Sequence, residues 1–263
     1  YTGEKPMSLL PERVSQQKNN AEAFIKARIS SSKNRLSQNE SNQQIENQDT
    51  NIYLESIDKS SITLNQNQSD INIENVQGSV IDAKGNTGDL SILGVDSQSP
   101  LDGNYLDIGN HKGNVAVSGS NIVSQLDDIQ GNVTHSGGRG MIIANDIEGD
   151  FVSDGNNLTS FVNDANDVTT KGNKNTRWVT NANNVTILDS GTKDSFGHTL
   201  FSQHYVYNSN NVLFNNTDSQ NFAGEAIVLG NDIEHVPGNN KLVRFITEDS
   251  HNVSDGNEIA LFQ

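Results

Sequence analysis

The amino-acid sequence predicts an all-β fold: a parallel β-solenoid (β-helix) of about ten coils over residues 51–263, preceded by an N-terminal α-helical segment. Three observations predict it. First, an Asn or Asp followed directly by an aliphatic residue or Phe keeps returning: Asn51-Ile52, Asp70-Ile71, Asp89-Leu90, Asn114-Val115, Asn132-Val133, Asp150-Phe151, Asp167-Val168, Asn184-Val185, Asn211-Val212, Asp232-Ile233 and Asn252-Val253. The intervals are about 19, 19, 25, 18, 18, 17, 17, 27, 21 and 20 residues, within the period of solenoid repeats. Second, another apolar group precedes many of these pairs by about six to eight residues, as in Ile142-Ile143, Phe161-Val162, Trp178-Val179 and Tyr205-Val206. Third, the residues between the two groups are Asn, Asp and Gly, as in Asn163-Asp164-Ala165-Asn166.

The physics of each element follows in chain order. Over 12–36, Val14, Ala21, Phe24, Ile25, Ile29 and Leu36 recur at spacings of three, four and seven among good helix formers, which predicts an amphipathic helix. Pro11 suits its first turn. Residues 37–50 are rich in Asn, Gln, Ser and Glu and read as a polar linker, so 1–50 form one region and 51–263 the repeat domain. Within the repeat, apolar segments of a few residues rich in Val, Ile, Phe and Thr favour strands. Each is too short to bury a face alone, so successive coils must stack. Asn, Asp and Gly tolerate left-handed backbone angles and make the corners, and Asn at equivalent corners can bond in ladders along the stack. The longer intervals place extra residues within 91–114, 186–211 and 213–232, with Asp96 to Asn104 and Gly191 to Thr199 expected as side loops. Trp178 is expected at an inward position of its coil. The chain closes on the apolar run Ile259–Phe262, expected as a strand that something covers.

Composition narrows the function. The chain has 263 residues, with 17 Lys+Arg against 33 Asp+Glu, a formal charge of −16. Residues 1–50 are close to neutral, with 7 basic and 6 acidic side chains, so the repeat domain carries nearly all of that charge. Asn alone supplies about 14 % of residues. An acidic surface repels phosphates, which argues against nucleic acid as a partner. There is no Cys, so neither a disulfide framework nor a thiolate metal site is available. No apolar run is long enough for a membrane-spanning helix. The residues after Met7 lack the apolar run of a secretory signal.

The Asn/Asp-aliphatic repeat resembles bacterial parallel β-helix proteins: adhesin passenger domains, polysaccharide lyases and hydrolases, phage tailspikes and the repeat domains of some secreted effectors. The resemblance covers roughly four-fifths of the chain and is architectural, so function must be sought in particular residues. Pectinolytic hydrolases resemble one another in Asn-Thr-Asp, Asp-Asp, Gly-His-Gly and Arg-Ile-Lys motifs. Here Asn216-Thr217-Asp218 matches the first and Asn231-Asp232 approaches the second. Gly197-His198-Thr199 lies on the wrong side of the first motif, and Arg244-Phe245-Ile246 lacks the lysine. Asp218 and Asp232 are therefore the candidate acid pair for glycoside cleavage, set against chance occurrence in an Asn-rich chain.

Asp146, Asp150, Asp164 and Asp167 fall on successive corners, with Arg139 or Arg177 nearby in register. Such carboxylates suit a hard cation, which makes calcium the one cofactor to consider. The alternative is a solvated acidic ladder. Gly137-Gly138-Arg139-Gly140 is only a distant echo of a calcium-binding glycine repeat. His135-Ser136 and His198 are the candidates for a Ser-His-Asp site, but no nucleophile elbow accompanies them. The six histidines, at 111, 135, 198, 204, 235 and 251, show no metal-ligand spacing and are expected at the surface or at corners. The sequons at Asn132, Asn157, Asn184, Asn215 and Asn252 follow from the repeat itself.

Taken together, these residues point to an exported, bacterial, non-catalytic rod that binds or displays, adhesin-like or surface-associated, with a protein or carbohydrate surface as its ligand. The N-terminal helix would cap the first coil, self-associate or dock a chaperone, and the C-terminal coil offers a second edge for association. Two alternatives are the repeat domain of a type III-like secreted virulence effector and a carbohydrate-active lyase or hydrolase. An effector expects more gene sequence after Gln263 and no upstream signal. An adhesin expects an upstream signal and a downstream anchor.

Overall fold

In a computed structural model the chain is a parallel β-solenoid of about eight turns. The structure describes residues 42–94, 103–172 and 175–189, the later strands given below, and a few positions between 16 and 27. Side chains are described through Leu188 and at Val206. The helix expected over 12–36 lies almost wholly outside the described residues, as do Asn252-Val253 and most of both expected side loops.

The strands in chain order are β1 Asn42–Glu46, β2 Ile52–Glu55, β3 Ser61–Asn65, β4 Ile71–Val76, β5 Val80–Lys84, β6 Leu90–Gly94, β7 Asn104–His111, β8 Val115–Ser118, β9 Ile122–Ile129 and β10 Val133–Ser136. They continue as β11 Met141–Ile147, β12 Phe151–Asp154, β13 Thr159–Lys171, β14 Thr176–Asp189, β15 Phe201–Ser209, β16 Val212–Asn216, β17 Ala223–Gly230, β18 Ile233–Val236, β19 Val243–Ile246 and β20 Ile259–Phe262. Each strand pairs in parallel with the strand one turn away, so the wall has two faces. The first face stacks β1, β3, β5, β7, β9 and β11, and the second stacks β2, β4, β6, β8, β10 and β12. The long strands β13 and β14 bend around one corner and serve both faces. The C-terminal run Ile259–Phe262 is a strand, paired with β19.

The register is the one the dipeptide repeat predicts. Ile52 pairs with Ile71, Ile71 with Leu90, Leu90 with Val115, Val115 with Val133, Val133 with Phe151, Phe151 with Val168, Val168 with Val185, and Val185 with Val212. The long intervals are accommodated between strands, for example between Gly94 and Asn104, and the columns continue undisturbed beyond them.

The Asx-aliphatic pair recurs because it joins turns in both directions. The Asn132 amide N–H donates to Asn114 Oδ1 at 2.9 Å, while the Asn132 carbonyl accepts the Val115 N–H at 2.8 Å. The same side-chain bond links Asp89 to Asp70, Asn114 to Asp89 and Asp150 to Asn132. A corner turns its N–H away from the strand ladder, and the Asx oxygen of the adjacent turn satisfies it. In the middle turns the residue before the pair is Gly, at 88, 113, 131 and 149, whereas Asn stands there at 166 and 183. A Cβ on Gly131 would lie 2.3 Å from the Gly113 carbonyl oxygen.

A second corner is left-handed throughout. Asn47, Gln66, Gly85, Asn110, Asp128, Asp146, Asp164 and Asn181 occupy one column, with φ between 48° and 67°. Residues other than Gly at such angles are mostly Asn and Asp, which accounts for the run of Asx there.

The interior is lined by alternate strand residues. In β3, Ile62 and Leu64 are fully buried between half-exposed Ser61, Thr63 and Asn65. Ile71 and Ile73 of β4 and Val115 and Val117 of β8 face them from the second face, within one continuous core. Each such side chain contributes about 1.5–3 kcal/mol when withdrawn from water, and no single coil could collect enough of them alone.

Trp178 is buried, but not at the inward position expected. The interior sites on β14 are filled by its neighbours Arg177 and Val179, in columns shared with Ile142 and Ala144. Trp178 instead stacks on Phe161, with ring centroids 4.3 Å apart and planes within 3°, in a second apolar cluster with Ile143, Tyr105 and Val80.

Candidate functional site

The first face carries polar columns on its outer side through the early turns. One runs Thr63, Asp82, Asp107, Gln125, and the next runs Glu46, Asn65, Lys84, Gly109, Asp127, Asn145, Asn163, Thr180. These positions follow from alternation: Thr63 and Asn65 flank buried Leu64, and Asp82 and Lys84 flank buried Ala83. Stacked at strand spacing, the side chains bond along the axis. The Glu46 carboxylate accepts from Gln44 Nε2 at 2.6 Å and from Asn65 Nδ2 at 3.2 Å. Those bonds, Gln44 first, hold its pKa below the usual value. Further along, Asp127 accepts from Gln125 and Asn145, both at 2.7 Å. Thr180 donates to Asn163 Oδ1 at 2.5 Å.

The column has a gap at Gly109. Lys84 lies over it and forms an ion pair with Asp107; a Cβ on Gly109 would stand 3.2 Å from Lys84 Nζ. Beside this gap is an open depression of about 630 Å³, lined by Glu46, Thr63, Asn65, Gln66, Asp82, Lys84, Gly85 and Asn110. Two carboxylates, one ammonium, three side-chain amides and a hydroxyl converge there. The surface therefore offers both donors and acceptors to a polar ligand. Asn110 reaches the depression from the C-terminal end of β7, the first strand after the insertion that begins at residue 95.

The structure places the four candidate metal ligands in two different columns. Asp146 and Asp164 are exposed residues of the left-handed corner, on successive turns. Asp150 and Asp167 belong to the Asx corner, where Asp150 accepts from Asn166 Nδ2 at 3.0 Å and Asp167 from Asn184 Nδ2 at 2.5 Å. Among the described residues, no group of three or more His, Cys, Asp or Glu side chains is placed to hold a metal ion.

Arg177 does not accompany these carboxylates. It is 1 % exposed, inside the solenoid, and donates to the carbonyls of Lys171 and Gly172 at 2.9 and 3.4 Å. Arg139 is exposed at a third corner, in a left-handed column with Asn121 and Asn157. Asp218 and Asp232 lie outside the described residues.

Two of the histidines expected at the surface or at corners are buried, His111 at a corner and His135 within a strand. His135 and His111 are each 1 % exposed. His135 points into the interior in a column with Val117 and Ser153, and neither of its ring nitrogens has a hydrogen-bond partner. Burial lowers its pKa to about 4. His111 occupies an inner corner column directly after Asn67 and Asn86, and burial lowers its pKa as well, against the opposing pull of the Asn114 and Gly88 carbonyls and Asp89. His198 and His251 lie outside the described residues.

No protein-family model, no curated protein and no solved structure matches this chain.

The depression was not singled out from sequence. Its signal was present as polar residues at alternate positions around each buried centre, Thr63-Leu64-Asn65 and Asp82-Ala83-Lys84, one repeat apart. In a chain this rich in Asn and Asp, such pairs do not stand out from the corners.

Proposed function

We propose that the chain is the rod of an exported bacterial β-solenoid protein that binds or displays without catalysis, and that its ligand, a protein or carbohydrate surface, is met on the outer side of the first face. The depression around Asp82 and Lys84 carries this reading. Its polar side chains are set by the register of consecutive turns on a stiff wall, so a ligand meets groups already in place, which lowers the ordering cost of binding. The negative net charge favours neutral or basic surfaces over anionic ones. In this reading the repeat continues through Asn252-Val253 to ten coils, and the amphipathic segment 12–36 covers the first coil, whose strand β1 is otherwise an exposed edge.

The test uses the full chain, labelled and applied to a printed panel of neutral and basic glycans and to extracellular-matrix proteins. Saturable binding is expected that falls at least about tenfold in the Asp82→Asn, Lys84→Met double variant, with an unchanged β-type circular dichroism spectrum, since two charged hydrogen bonds are removed. Binding that is indifferent to the double variant would move the site off the first face. Release of oligosaccharides from any polysaccharide on the panel would replace the reading with an enzymatic one.

A further inference from the structure

Two histidines are buried in the middle turns; His111 lies near Asp89, whereas no acid among the described residues faces His135. His135 lies on β10 between β8 and β12, with Val117 and Ser153 as its column neighbours. Those two strands bring one titratable side chain between them, Asp154, which pairs with Ser136 rather than His135. Across the interior, the acids of β9 and β11 are Asp127, Asp128 and Asp146. The last two are exposed, and Asp127 bonds to Gln125 and Asn145 on the outer side. On the later turns the described interior charge is the cation of Arg177, which opposes a second positive charge.

We infer that the middle of the rod is an acid-sensitive joint, in which protonation of His135 opens the turns built on β8, β10 and β12 while the outer turns stay wound. Inside this wall an imidazolium can neither be solvated nor paired, so the proton is taken up only as these strands separate and admit water. The sign follows from the direction of the shift. The folded form holds His135 neutral down to about pH 4, whereas the opened form binds a proton below the ordinary histidine value of 6.5. Stability is therefore full above that value and is lost as pH falls from there towards 4. A rod that loosens on acidification would change how it presents its outer face in an acidic compartment.

Hydrogen exchange of the full chain, corrected for the intrinsic pH dependence, is compared at pH 7 and pH 4.5 for the native sequence and for His135→Val, which copies Val117 one turn away. The native chain should lose protection selectively at 115–118, 133–136 and 151–154, and its opening equilibrium should shift by about fiftyfold over this range. His135→Val should keep protection there, while His111→Val should not. Uniform loss along the rod, or the same loss in His135→Val, overturns the proposal. If His135→Val does not fold, carbon-13 NMR of the native histidines decides. A His135 signal titrating near 6.5 in the folded rod refutes the joint, and one that stays neutral until the middle turns open supports it.

Discussion

The early and later turns share a backbone and differ in what fills it. In the early turns the interior of the first face is aliphatic, Ile62, Ile81 and Leu106, and its outer side is polar, Thr63, Asp82 and Asp107. In the later turns the outer column turns apolar and the interior one becomes largely polar. The interior column continues as Ser124, Ile142, Ser160 and Arg177, all buried, and the outer column as Ile143, Phe161 and Trp178. The inner corner changes the other way, from Asn67, Asn86 and His111 to Ile129, Ile147 and Ala165. Yet the Asx joints continue from one region into the other, as backbone-to-side-chain bonds up to Asp150 and as amide-to-carboxylate bonds from Asn166 to Asp150 and from Asn184 to Asp167. The difference teaches that corners, rather than core composition, hold this solenoid in register. Side chains along the strands are then free to specialise.

The comparison is most strongly tested on the outer column. Phe161 is 2 % exposed where Thr63, the equivalent residue of an early turn, is half-exposed. Phe161→Ala should cost about 3–4 kcal/mol through lost burial and stacking, measured by chemical denaturation. Thr63→Ala should change stability by less than about 0.5 kcal/mol. Equal effects would mean that the outer cluster adds nothing beyond a surface patch.

How far the sequence revealed this depends on which property was repeated. The Asx-aliphatic pair was legible because it reports backbone hydrogen bonds that every turn must make, and it set the register residue for residue from Ile52 to Val212. The change in the outer column was not legible. Ile142-Ile143, Phe161-Val162 and Trp178-Val179 each place two apolar residues side by side, and in a strand only one of each pair can face inward. Hydrophobicity alone does not choose between them, which is why Trp178 is expected inside. The buried histidines were hidden for a related reason. His135 stands where the aliphatic Val117 stands one turn away, and a polar residue at an inward position reads as an outward one. Of the candidate site, the corner aspartates were legible as corners. The depression was not, because its lining is drawn from four successive turns, from Glu46 to Asn110.

A smaller effect is expected at the inner corner. Asn86 Oδ1 accepts from Asn67 Nδ2 at 2.9 Å and from the Asn67 N–H at 3.0 Å, and Asn86 Nδ2 donates to the Leu64 carbonyl at 2.9 Å. Asn86→Ala leaves these buried partners unpaired and should cost about 2 kcal/mol. Ile147→Val, in the same column of a later turn, removes one methylene and should cost about 1 kcal/mol. If Asn86→Ala proves as mild as Ile147→Val, water reaches the early corner and the amide ladder is not what seals it.

The smallest effect belongs to the joint that both regions share. Asn114 is exposed, and its side-chain oxygen accepts the Asn132 N–H, so Asn114→Ala should cost about 1 kcal/mol, as loss of a helix-capping oxygen does. Asn114→Asp should be nearly neutral, because Asp89 performs the same role on the turn before it, accepting the Asn114 N–H at 2.9 Å. Asn132→Asp should behave likewise, since the bond needs an oxygen and not an amide. The repeat carries Asn and Asp interchangeably at these joints for this reason. Thermal melts of Asn114→Ala, Asn114→Asp and the native chain at low and high salt separate the two contributions. A loss in Asn114→Asp that salt restores would show that charge repulsion along the column, and not the oxygen alone, sets which of the two residues each joint can carry.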